Sequence, residues 1–153
     1  MKIRNGFVSN SSSSSFIVGI ARIKDYNQFE KYLKKNKIKL DYEARVVTMS
    51  DIWQGLVGET RVYNGNIIID SFQTDARIPV EGYIGEELFF IDDKCNNEGD
   101  DYFTKGDDWD IDYDIDLSFF DESDQKLFEA FSSKTSGLDL DNADVTFGAG
   151  RNG

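Results

Sequence analysis

The most regular alternation of polar and apolar positions lies in residues 110–117, which read DIDYDIDL. Aspartate occupies every second position, and Ile, Tyr or Leu occupies the positions between. A period of two is typical of a β-strand with one polar and one apolar face. The pattern therefore predicts a strand that presents a row of carboxylates, which belong to Asp110, Asp112, Asp114 and Asp116.

Helical periodicity first occurs after Asp25, where aromatic and aliphatic residues recur at intervals of three and four. The apolar positions are Tyr26, Phe29 and Leu33, and they form one stripe on a helix. Asp25 precedes the stripe and is a favoured residue at a helix N-cap. The sequence predicts a helix that begins after Asp25 and packs this stripe against the core.

A second, short helix is predicted after Ser50, which is a suitable N-cap. Four large apolar residues share one face of this helix and are predicted to enter the core: Ile52, Trp53, Leu56 and Val57. A last helix is predicted to begin at Asp121 or Ser123 and to end before Gly137. Beyond it, residues 144–147 predict a short strand, and residues 148–153 predict a permissive, flexible tail.

The remaining apolar runs are rich in β-branched and aromatic residues, and they predict strands over residues 16–20, 44–49, 61–70, 71–80 and 83–91. Asn64-Gly65 divides one of these runs into a hairpin, because both central positions of a type I′ turn need positive φ. Pro79 predicts an edge position or the end of a strand. The fold class predicted is α+β, a single domain over residues 1–153 with a mainly antiparallel sheet and two or three helices packed on one face.

The N-terminal region contains five consecutive serines, Ser11 to Ser15, which predict an ordered turn or loop that leads into the first strand. Residues 4–16 read RNGFVSNSSSSSF. This string resembles the opening of a group of small, uncharacterised proteins from bacteriophages and bacteria. The resemblance covers the first sixteen to eighteen residues and implies a phage or phage-derived origin. It implies no activity and no site residues.

The acidic residues are numerous and unevenly distributed along the chain. The chain carries 29 acidic and 17 basic residues, a formal net charge of −12. Residues 92–124, called here the acidic segment, hold fourteen of the acids and only Lys94 and Lys105, so the rest of the chain is neutral. Phosphates of nucleic acid or of an anionic membrane would repel such a protein, whereas cationic protein surfaces would attract it.

The chain has no histidine and a single cysteine, Cys95. Zinc sites built from Cys and His, and catalytic triads with a histidine base, therefore lack their residues. The acids near Cys95 disfavour its thiolate. We expect no catalytic residue, no metal and no cofactor. The lack of a long apolar run predicts a protein that spans no membrane and resides in the cytoplasm, which is the host cytoplasm if a phage encodes it.

The acidic segment is the predicted binding site, with these residues: Asp107, Asp108, Trp109, Asp110, Asp112, Asp114 and Asp116. The first hypothesis is a non-enzymatic, phage-type inhibitor for host takeover or counter-defence, such as an anti-CRISPR protein. Its acidic face would mimic nucleic acid and bind a basic host protein. A structural reading, in which the charges only protect an edge strand from aggregation, stays open.

Two further hypotheses remain. Five lysines gather at the end of the first helix: Lys31, Lys34, Lys35, Lys37 and Lys39. These lysines could simply lie in solvent at the end of the helix. Alternatively, they could bind the acidic strand of a second copy, and the protein would then be a homo-oligomeric virion or assembly protein. The other alternative is a metal-dependent enzyme that uses carboxylates, although no window has the spacing of an EF-hand.

Overall fold

The computed structural model of this protein describes residues 12–71, 74–97, 109–112 and 121–152. Within these ranges the chain forms eight strands and three helices, and the predicted α+β class is confirmed. The strands are β1 (Ser12–Ile23), β2 (Ala44–Thr48), β3 (Thr60–Tyr63), β4 (Asn66–Asp70), β5 (Asp75–Pro79), β6 (Leu88–Asn97), β7 (Trp109–Asp112) and β8 (Leu138–Asn152). The helices are α1 (Tyr26–Lys35), α2 (Met49–Trp53) and α3 (Glu122–Ala130).

The strands form two antiparallel sheets rather than one. The larger sheet has five strands in the order β2-β6-β1-β8-β7, and the smaller has three in the order β3-β4-β5. The smaller sheet lies against one face of the larger, and Asp144 of β8 accepts a hydrogen bond from the backbone N–H of Arg77 in β5 (2.9 Å). The molecule therefore has three layers, of which the five-stranded sheet is the middle one.

Strand β1 lies at the centre of the larger sheet and is buried on both faces. Phe16, Val18 and Ile20 belong to the core shared with the smaller sheet. Ala21 and Ile23 belong to the second core, which is shared with the helices. A strand covered on both faces is a continuous apolar run instead of an alternation, which explains the sequence Phe16-Ile-Val-Gly-Ile20.

The helices divide between the two faces. Phe29 of α1 and Leu127 of α3 pack on one face of the larger sheet. Met49 and Ile52 of α2 pack on the other face, beside the smaller sheet. The prediction of helices on one face is therefore right for α1 and α3, whereas α2 lies on the opposite side.

Two local predictions for α2 were wrong. Its N-cap is Thr48, whose hydroxyl accepts the N–H of Asp51 at 3.0 Å, so Ser50 lies inside the helix. Trp53 and Leu56 are 56% and 68% exposed, although both were predicted to enter the core. With only five residues, α2 has room for a single turn against the core, and Ile52 and Val57 fill that space.

Both ends of the described chain form strands, where a loop and a flexible tail were predicted. Ser12 to Ser15 belong to β1 instead of a loop, and residues 148–152 belong to β8 instead of a flexible tail. The two stretches pair with each other, from Ser12 opposite Asn152 to Ser15 opposite Ala149. Neither serine nor glycine favours a strand by itself, so the pairing of the two chain ends decides their conformation.

Other local predictions were confirmed. Asp25 caps α1 by accepting the N–H of Gln28 at 3.0 Å. Asn64 and Gly65 have φ of 50° and 75° and join β3 to β4. Pro79 ends β5, which is an edge strand of the smaller sheet. In the described ranges, every helix is too short or too polar to cross a membrane.

Candidate binding site at the acidic segment

The acidic segment begins in β6, contains β7 and ends in α3. The structure describes its residues 92–97, 109–112 and 121–124. These three pieces lie in very different surroundings. Residues 109–112 form a short strand at the margin of the larger sheet. Residues 92–97 belong to β6, and residues 121–124 begin α3, which contacts β6 there.

Strand β7 contains three of the seven predicted site residues, namely Trp109, Asp110 and Asp112. It is the last strand of the larger sheet and pairs with β8, so that Asp110 lies opposite Arg151 and Asp112 opposite Ala149. The predicted strand is thus present from Trp109 to Asp112. The other four predicted residues, Asp107, Asp108, Asp114 and Asp116, lie outside the described residues.

Asp92, at the start of the segment, is fully buried, with 0% of its surface exposed. Its register neighbours are Gly19 of β1 and Ala44 of β2, which are both small. A Cβ on Gly19 would lie 2.6 Å from Cζ of Phe131, so this aromatic ring covers the sheet beside Asp92. Neither carboxylate oxygen of Asp92 has a hydrogen-bond partner among the described residues.

Lys94 lies two residues further along β6 and joins three parts of the fold. Its ammonium is 2.9 Å from Oδ1 of Asp124 in α3 and 3.6 Å from Oδ2 of Asp41, which precedes β2. The side chains of Lys94 and Asp124 are only 17% and 11% exposed. We call Asp92, Lys94 and Asp124 the buried base of the acidic segment, because they hold its two ends together.

The electrostatics of the buried base follow from one cation among several acids. Burial raises the pKa of Asp92 well above its ordinary value, and Lys94 only partly offsets this effect. Burial also raises the pKa of Asp124, against the opposing hydrogen bond from Lys94. Burial alone would lower the pKa of Lys94, but its hydrogen bond to Asp124 and the nearby carboxylates raise that pKa instead.

Asp93 points to the opposite face of β6 and has a different environment. Burial raises its pKa to about 6, the neighbouring Glu59 adds to the rise, and Arg45 opposes it. The pKa values of the two adjacent aspartates are therefore both raised, mainly by burial, and the charged groups that act on them differ except for Glu43.

Sequence reasoning missed the buried base and treated Asp92 as a surface acid. The signal that could have revealed it is strand parity. Phe90, Asp92 and Lys94 occupy alternate positions after an apolar run, and residues two apart on a strand share a face. Since Phe90 is buried under the helices, Asp92 had to be there as well.

The five lysines of the first-helix cluster are all exposed: Lys31, Lys34, Lys35, Lys37 and Lys39. Within the described ranges, none of them forms an ion pair with a carboxylate. Lys31 and Lys35 also line a depression of about 320 Å³ between α1 and α3, together with Lys126. Glu129, which pairs with Lys126, also lines this depression, so its unpaired charges are those of the lysines of α1.

In the part of the chain that the structure describes, the acidic and cysteine side chains form no group of three or more suited to hold a metal ion. The ammonium of Lys94 occupies the place between Asp41 and Asp124 where an external cation would otherwise lie. The buried base is therefore an internal ion cluster.

Comparison of the chain with protein families, with curated proteins and with solved structures found no match in any of the three.

Proposed function

We propose that this protein is a non-enzymatic binding protein whose acidic segment docks onto a cationic protein surface that otherwise holds nucleic acid. The phage-like N-terminal string favours a role in host takeover or counter-defence, with a nuclease or a CRISPR effector as the kind of target. Arginine and lysine rows that hold phosphates are also suited to carboxylates. The acidic segment would act as a mimic of nucleic acid.

The observation that carries this proposal is the position of β7. It is the terminal strand of the larger sheet, with β8 on one side and no described strand on the other. Carboxylates at alternate strand positions are spaced by about 6.6–6.8 Å, which forms a regular array. An array at the margin of a rigid sheet can meet a cationic groove without rearrangement of the core.

The test is an affinity pull-down from host lysate after nuclease treatment. The native protein is compared with a variant in which Asp110, Asp112, Asp114 and Asp116 are all changed to Asn. We expect the native bait alone to capture a nucleic-acid-binding protein, and we expect duplex DNA or RNA to compete with it. Capture of the same partner by both baits would refute the proposal.

A matched control separates the position of the charges from their number. Four exposed acids outside the segment are changed to their amides, which removes the same charge: Glu59, Glu81, Glu86 and Asp141. This control should retain the partner. Arg151→Gln changes the charge in the other direction, because it removes a positive charge from the residue opposite Asp110 in the register. This variant should capture the partner more strongly than the native protein does.

A second candidate function is self-assembly, as in a virion or assembly protein. The observation in its favour is the set of exposed lysines on α1 and beyond it, which have no described ion pair. The acidic segment of another copy would complement them. Light scattering over a range of protein concentrations tests this candidate. Self-association that disappears in Lys31→Gln/Lys34→Gln/Lys35→Gln would support it, and a monomer at every concentration would exclude it.

A further inference from the structure

The buried base contains one cation, Lys94, for two carboxylates, and Asp41 beside it is a third. Lys94 contacts Asp124 and Asp41, while Asp92 has no hydrogen-bond partner among the described residues. Asp92 and Lys94 are two positions apart on β6 and share its helix-covered face, at a spacing of about 6.6–6.8 Å along the strand. A buried carboxylate without a partner is destabilised by the loss of its hydration, so this arrangement favours the uncharged form of Asp92.

We propose that Lys94 is a shared cation that leaves Asp124 for Asp92 when Asp92 loses its proton, and that this exchange loosens α3, which then separates from the larger sheet more often. With Asp92 protonated, Lys94 stays with Asp124 and Asp41, and α3 is held on β6. With Asp92 ionised, its buried charge needs a counter-ion, and Lys94 is the nearest described cation on that face. This exchange of Lys94 between two carboxylates is separate from the proposed binding function and does not depend on it.

The surroundings of Asp92 favour this exchange because the groups that face it are otherwise acidic. Asp124 faces it from α3, Asp41 and Glu43 face it from the segment before β2, and Lys94 faces it from β6 itself. If Lys94 moves to Asp92, Asp124 in the first turn of α3 loses its counter-ion, beside a second acid, Glu122. The ionic contact between α3 and β6 is then lost, and α3 is held on the sheet by its apolar residues.

The direction of the pH dependence follows from the pKa of Asp92. Burial raises this pKa above the ordinary value of 3.8, so the docked state binds the proton more tightly than the undocked state. The docked state has its full stability below the ordinary pKa and loses stability as the pH rises towards the pKa of the docked state. High pH therefore favours release of α3.

The test is amide hydrogen exchange of α3 in the native protein and in Asp92→Asn. The two proteins are compared at equal pH, so that the pH dependence of the intrinsic amide exchange rate cancels in their ratio. Asn stays neutral, so this variant lacks the pH dependence that Asp92 contributes, while the contributions of other groups cancel in the ratio. We expect the ratio of native to variant exchange rates to increase about tenfold per pH unit above about pH 4, until the docked-state pKa is passed. A ratio that stays constant with pH would overturn the proposal.

Asp93→Asn is the matched control, because Asp93 is the next residue, is also perturbed, and faces the other layer. It should leave the pH dependence of α3 exchange as in the native protein. If Asp93→Asn abolished that dependence and Asp92→Asn did not, the switch would be wrongly assigned. A measurement on the native protein covers the case in which Asp92→Asn fails to fold. By NMR, the signal of the Lys94 ammonium should shift over the same pH range in which the Asp92 carboxyl ionises, and a Lys94 signal that does not respond to that ionisation would refute the exchange.

Discussion

The buried base and β7 belong to the same acidic segment, yet they lie at different places in the larger sheet. Asp92 is fully buried between two small residues of neighbouring strands, whereas Asp110 and Asp112 lie in a terminal strand of the same sheet. In β7 the acids occupy alternate positions, whereas in β6 the two acids, Asp92 and Asp93, are consecutive. The comparison teaches that one acidic segment can enter different places in the same sheet, and that an inner strand such as β6 can bury its aspartate completely.

The largest loss of stability is expected from a substitution of Lys94, and it tests whether the buried base is a strong internal contact. Lys94→Met leaves the poorly exposed Asp124 without its counter-ion, and breaking such a pair costs about 3–5 kcal/mol. Urea unfolding measures the loss. The control is Lys126→Met, which breaks a more exposed pair with Glu129 (39% and 49% exposed side chains) and should cost less than about 1 kcal/mol. Equal losses in the two variants would show that the buried base is no tighter than a surface pair.

A smaller effect is expected at Gly19, the register neighbour of Asp92 on β1. In Gly19→Ala the new methyl group would lie 2.6 Å from Phe131 and 2.9 Å from Val145, and such overpacking costs about 1–3 kcal/mol. Thermal unfolding measures it. The control Gly85→Ala places its methyl at an ordinary contact distance, 3.5 Å from Ser50, and should be nearly neutral. Equal stability of both variants would mean that the space above Gly19 is looser than the structure shows.

The smallest effect on stability is expected in β7. Asp110→Asn/Asp112→Asn changes charges in a terminal strand, and substitutions away from the core are usually within about 0.5 kcal/mol. Unfolding in urea at low and high salt measures the change, and removal of repulsion should make it slightly stabilising at low salt. A loss of several kcal/mol would place these acids in an internal network like the buried base, and the contrast between the two regions would disappear.

Several features could be predicted because their causes are local. Asn64-Gly65 specifies its turn through positive φ at both positions, and Asp25 caps α1 with its own side chain. The apolar run after Ser15 marks the central strand. Trp53 shows where such reasoning ends, since helical periodicity assigns it to the core and the actual packing leaves it more than half exposed.

The candidate site could be predicted only in part for the same reason. The concentration of charge in residues 92–124 is a property of the sequence, and so is the period-two pattern that places β7 in a strand. The pairing of Lys94 with Asp124 joins residues thirty positions apart in the chain. No periodicity encodes that contact, because it depends on α3 lying across β6.

By itself, the sequence determined the α+β class, the principal turns and helix caps, and the local excess of acid. These follow from backbone preferences and short-range spacing, which act within a few residues. Only the tertiary structure decided that residues 12–15 and 148–152 become paired strands, that β7 lies at the margin, and that Asp92 is buried. The physical reason is that burial and charge compensation depend on neighbours brought together by folding, and those neighbours are distant in sequence.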